Sequence, residues 1–166
     1  MEIRIRETGQ VMFEGEFRSM HPETSFPVPL NAEILADFGA DVVLEGPQAT
    51  TQPPYEFSYR NGVEQIDGQW FTKYSVGPVF QDQPAQGDQP AKTASEQMAE
   101  YRAQKDAEQA KNVREIRNQR LKDSDWSQGK DIADAVSQPW AVYRQALRDV
   151  PAQAGFPWDV TWPDAP

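Results

Sequence analysis

The chain has no cysteine and a single histidine among its 166 residues. Disulfides, thiolate nucleophiles and cysteine-ligated zinc are thereby excluded. His21, in HPETSFP, has no second nitrogen or thiol ligand anywhere in the sequence, so a hydrogen-bonded loop histidine is expected rather than a metal ligand or general base. No apolar run approaches the roughly 18 residues of a membrane span, and the charged start MEIRIRETG is not a secretion signal. Positive charge is also short. Sixteen basic against 26 acidic residues give a net charge of -10, which repels nucleic acid and anionic lipid.

Catalytic groupings are scarce as well. Gly-rich phosphate loops, a nucleophile elbow and EF-hand spacing do not occur. The carboxylates of Asp123 and Asp125, and of Asp131 and Asp134, read more economically as helix caps than as an acid–base pair. No cofactor and no enzymatic activity are expected. With 38% hydrophobic residues and 14 prolines, two small cores, or a core completed by association, fit better than one large core.

What is present divides into an extended half and a helical half, an α+β chain. In EIRIRE, Ile3 and Ile5 alternate with Glu2, Arg4 and Arg6, and Thr8-Gly9-Gln10 turns the chain. VMFEGEF places Val11, Phe13 and Phe17 among polar residues and reads as a strand with Gly15 at a bulge. QWFTKYSV alternates again through Trp70, Thr72, Tyr74 and Val76. Between them Asn31 caps one short helix over Ala32–Phe38, with Gly39 at its C-terminal end. Residues 1–80 are expected to be a small antiparallel, sandwich-like β domain.

QDQPAQGDQPAKT, residues 81–93, lacks Val, Ile, Leu and aromatic residues and has linker composition. Thr93 and Glu96 form a capping box, and no Pro or Gly interrupts from Ala94 to about Lys122, which predicts a helix of nearly 30 residues. Its apolar stripe is thin (Met98, Tyr101, alanines, Val113, Ile116, Leu121), so it needs a neighbour or a second copy. A second helix is expected over Ser137–Asp149, with Pro139 in its first turn and Trp140, Tyr143 and Leu147 on one face. The two form a helical hairpin, within an assembly domain of residues 94–166. In AGFPWDVTWPDAP, an extended chain places Phe156, Trp158 and Trp162 on one side. Those rings could hide on the order of 500 Å², either against the protein's own helices or on a partner.

Trp126, Trp140, Trp158 and Trp162 lie in the last 41 residues together with Arg117, Arg120, Arg144 and Arg148. Trp, Tyr and Arg are enriched at interface hot spots, and they also serve as fillers of a small core. The candidate partner-binding or assembly residues are Arg117, Arg120, Trp126, Trp140, Tyr143, Arg144, Phe156, Trp158 and Trp162.

The blocks RNQRLKDSDWSQ (117–128), WAVYRQALRDVPAQ (140–153) and GFPWDVTWP (155–163) resemble the C-terminal region of bacteriophage tail fibre assembly chaperones. Relatives often carry Leu-Pro where this chain has Gly129-Lys130. The resemblance implies a non-enzymatic helper, acting in the host cytoplasm, that binds a tail fibre protein and promotes its trimerisation. It implies equal numbers of the two chains, most simply three of each, and self-association through the C-terminal helices. In this reading the β half grips the distal, receptor-recognising part of the fibre, or the helical half does. The other class is a structural component that stays in the virion.

Overall fold

The computed structural model describes residues 1–166. Two compact units result, Met1–Val79 and Phe80–Pro166.

In the first unit five strands, β1 (Glu2–Ile5), β2 (Val11–Phe13), β3 (Ala40–Leu44), β4 (Phe57–Ile66) and β5 (Gln69–Gly77), form one sheet in the order β2-β1-β3-β5-β4. The register sets Ile3 opposite both Met12 and Val42, and Ala40 opposite Ile5. That face of the sheet packs Ile3, Met12 and Ala40 with Phe17, Leu30 and Leu35 in a core that excludes water. Full burial of side chains such as Phe17 or Leu35 contributes about 1.5–3 kcal/mol each.

The expectation of an α+β chain agrees with this arrangement, and three details differ. The strand expected over Val11–Phe17 stops at Phe13, and α1 (Glu14–Met20) follows. The Glu16 carboxylate accepts from the Phe13 N–H at 3.0 Å, and Glu14 pairs with Arg18 at 2.7 Å along the helix. These local bonds favour a helical turn over a bulge and swing Phe17 into the core. The unit therefore has two helices, α1 and α2 (Ala32–Asp37), where one was expected. The expected cap appears at α2, where Asn31 Oδ1 accepts from the Ile34 N–H at 2.9 Å.

The strands also form one mixed sheet instead of a packed pair. β3 runs parallel to β5, with Val43 opposite Trp70, because the segment after β3 crosses to place the β4–β5 hairpin beside it. The sheet curls strongly. Arg60 on β4 makes a bidentate ion pair with Glu2 on β1. Three strand spacings separate those strands, ~14 Å in a flat sheet, and side chains standing perpendicular to a flat sheet would not meet across that distance.

The second unit is helical: α3 (Ala94–Asp123), a short 3-10 turn (Asp125–Gln128), α4 (Asp134–Asp149) and a further 3-10 turn (Val150–Ala152). The capping box closes as expected, with Thr93 Oγ1 accepting from the Glu96 N–H and the Glu96 carboxylate accepting from the Thr93 N–H. Residues 81–93 fold back on themselves: Gln83 pairs with Lys92, and the Gln97 side chain donates to the Gln81 carbonyl at 2.6 Å. α4 begins three residues earlier than expected. Backbone N–H groups of Val136 and Ser137 donate to the Ala133 carbonyl, so Pro139 lies in the second turn.

A candidate protein-binding module

The core of the helical unit is small and mixed. Ala110 and Val113 of α3 are buried, as are Tyr143 and Leu147 of α4 and Val150 beyond it. Among these apolar groups lies a buried charge. Arg144 is 8% exposed. Its guanidinium donates to the Leu121 carbonyl at 2.5 Å, to Ser124 Oγ at 2.9 Å and to Asp125 Oδ1 at 2.8 Å. The Leu121 carbonyl belongs to the last turn of α3, where carbonyls lack helical partners and the dipole favours a cation. Arg144 thus ties α4 to the end of α3. Its Nε is buried without a partner.

Phe156, Trp158 and Trp162 all reach α3, each at a different point along it, although the tail is not extended as expected. The Trp158 and Asp159 N–H groups both donate to the Gly155 carbonyl, so residues 155–159 form a tight turn. Gly155 permits it, because a Cβ there would meet the Asp159 carbonyl oxygen at 2.3 Å. The chain then doubles back. The Gln153 side-chain amide donates to the Thr161 carbonyl and accepts from the Thr161 N–H, both at 2.8 Å. A side chain here replaces the strand partner that Pro157 and Pro163 disfavour.

Each ring finds its own polar partner on the long helix. Phe156 lies under the Arg114 guanidinium at 5.2 Å, and Trp162 under Arg120 at 4.5 Å. The Trp158 indole donates to Asp106 Oδ1 at 2.6 Å. Cation–π contacts of this kind contribute about 0.5–2 kcal/mol each, depending on desolvation. The tail is therefore a strap on its own helix.

The remaining candidates divide by exposure. Tyr143 is buried and Trp140 half-buried, the latter edge-on to Tyr143 with ring centres 5.6 Å apart. Trp126, on the 3-10 turn, meets Trp140 at 5.2 Å and is 54% exposed. Beside this row Arg120, Asp123, Ser124, Trp140, Tyr143 and Ala165 line a shallow cavity of about 190 Å³. Arg117 bonds its neighbour Asn118 at 2.8 Å. Asp106, Arg114, Gln153 and Gly155 take part in the strap but were not among the candidates. For Gly155 the signal was a glycine four residues before Asp159; for Asp106 no local pattern pointed to a partner 52 residues away.

The second unit thus presents a strapped helical hairpin with an aromatic row of Trp126, Trp140 and Tyr143 at one end. Residues 110–166 match the family of phage tail assembly chaperone proteins. The match begins at Ala110, the first buried residue of α3, and covers α4 and the strap. It supports a chaperone role in phage tail assembly. No curated protein and no solved structure matches the chain. No helix is long and apolar enough to cross a membrane.

Proposed function

We propose that the chain is an assembly chaperone for a phage tail fibre protein. It binds the fibre chain in the host cytoplasm, holds its unpaired surfaces until three chains meet, and so promotes trimerisation. The observation that carries this reading is the family match over residues 110–166. Physical reasoning supports it: intertwined fibre trimers depend on non-local contacts, and exposed strand edges meanwhile favour aggregation. The helical unit organises the assembly, with exposed Trp126 and half-buried Trp140 next to Arg120 as its anchor, since Trp and Arg in one patch suit a hot spot. The curled sheet of residues 1–79 grips the distal, receptor-recognising part of the fibre.

The test is expression of the fibre protein of the same phage with and without this chain. Soluble trimer should form only with it, and native mass spectrometry should give three copies of each chain, because a threefold client repeats each binding surface three times. Equal yields of trimer in both cases would remove the reading. Purified virions that retain the chain in stoichiometric amount would favour a resident structural role instead.

A further inference from the structure

The sheet of the first unit has two edges, and only one is blocked. At β2, the Phe13 N–H is held by the Glu16 carboxylate and the chain turns at once into α1. β4 pairs with β5 on one side, with a bulge between Arg60 and Val63, and with no strand on the other, so its regular free edge runs from Val63 to the hairpin turn. Its hairpin turn fixes which backbone groups are free. Asp67 and Gly68 both have positive φ, 48° and 82°, the signature of a two-residue type I′ loop. The flanking pair Ile66–Gln69 is then hydrogen-bonded, and so is Glu64–Phe71 two residues on. The backbone N–H and C=O of Gln65 and Val63 consequently point away from the sheet. The Gln65 side chain does not cover them, since it reaches back to the Gly68 carbonyl at 3.2 Å.

Because the sheet curls, this free edge borders a cleft of about 370 Å³. Val63, Gly62 and Arg60 of β4 line one wall, and Glu2, Val11 and Phe13 the other. Phe13 is 61% exposed. The unit's charge favours one kind of occupant. Five basic residues stand against twelve acidic ones in residues 1–79. All five, Arg4, Arg6, Arg18, Arg60 and Lys73, are already in ion pairs within the unit. The surplus is entirely carboxylate.

We infer that β4 is the grip for the client: an extended segment of the tail fibre protein, bearing lysine or arginine, adds as a strand at Val63–Gln65. One of its apolar side chains enters the cleft against Phe13. Main-chain bonds then give affinity with little sequence demand, and the pocket and charge select the segment. The inference rests on the chaperone reading above and specifies its contact.

The test uses the full chain co-expressed with the fibre protein of the same phage. Amide hydrogen exchange at Val63 and Gln65, the outward N–H groups of β4, should slow at least tenfold in the complex relative to the free chain. Gln65→Pro removes an outward N–H without touching the β5 ladder, a position where an edge strand tolerates proline, and should weaken the complex about five- to tenfold. Gln65→Ala should bind as the parent does. A complex that forms while β4 exchange is unchanged would overturn the inference and leave the chaperone reading standing. β4 amides equally protected in the chain alone would mean that the edge pairs with a second copy, which also overturns it. If no complex forms at all, both fail. Should Gln65→Pro not fold, the exchange measurement on the parent still decides.

Discussion

Arg144 shows how a single residue can hold this small core together. A hydrogen bond to a charged donor contributes about 1.5–3 kcal/mol, and Arg144 donates to three acceptors from one guanidinium. Asp125 is largely exposed, so its share is at the low end. Arg144→Met should destabilise the helical unit by about 2 kcal/mol in denaturant unfolding. Arg144→Lys should not restore it, because an ammonium lacks the planar fork that reaches the Leu121 carbonyl and Ser124 together. In the sheet, Glu2 plays a smaller part. Its hydrogen bonds from Arg60 hold its carboxyl below the ordinary value of 4.5. A depressed folded-state value contributes stability above the unfolded-state value and loses it as pH falls through the folded one. The first unit should therefore weaken as pH drops below about 4.5, and Glu2→Gln should flatten that dependence. With Arg60 well exposed, the effect is at most about 1 kcal/mol, read from unfolding midpoints at successive pH values.

At the scale of the element, the strap decides whether α3 and α4 stay together. α3 alone is too polar to form a rigid body, and its buried side chains are only Ala110 and Val113. Trp158→Ala with Trp162→Ala removes an indole hydrogen bond and a cation–π contact as well as area. A fully buried Trp truncation costs about 3–5 kcal/mol. These two are part-exposed, so the pair should cost roughly that amount together. The expected outcome is loss of the helical unit's cooperative transition by circular dichroism while the sheet unit persists. Gly155→Ala should act in the same direction by about 1–3 kcal/mol, since its Cβ cannot coexist with the Asp159 carbonyl. Asp159→Asn and Thr161→Val, whose side chains are exposed, should change little.

For the whole molecule, the composition of residues 81–93 and the division at Val79/Phe80 give one expectation. Residues 81–91 are exposed throughout, and the hairpin formed there has only the Gln83–Lys92 and Gln86–Gln89 pairings. A protease of broad specificity should cut the free protein there first, leaving two resistant fragments. A first cut inside Met1–Val79 would point to a different boundary. The two units also differ in chemistry. Residues 1–79 carry surplus acid, whereas the stretch Lys111–Lys122 concentrates Arg114, Arg117 and Arg120 beside the aromatic strap. That contrast suits separate tasks on one client.

By itself the sequence determined what depends on neighbours along the chain. The α3 helix and its capping box follow from Thr93, Glu96 and an uninterrupted run free of Pro and Gly; the cap on α2 follows from Asn31; the need of Phe156, Trp158 and Trp162 for a covering surface follows from their crowding. The tail's conformation was not legible, because the turn at Gly155 is held by Gln153 and by Asp106, Arg114 and Arg120, residues up to 52 positions away. The helix at Glu14 was hidden for a related reason: Val11, Phe13 and Phe17 satisfy a strand pattern, and only the core that receives Phe17 decides between them. Arg144 could be recognised as an arginine on a helix face, but whether it faced water or the end of α3 depended on how two helices met. Tertiary structure alone also decided the free edge of β4 and the cleft beside it, because curl and strand order are properties of the assembled sheet. Local bonds are written in adjacent residues; partners brought together by folding are not.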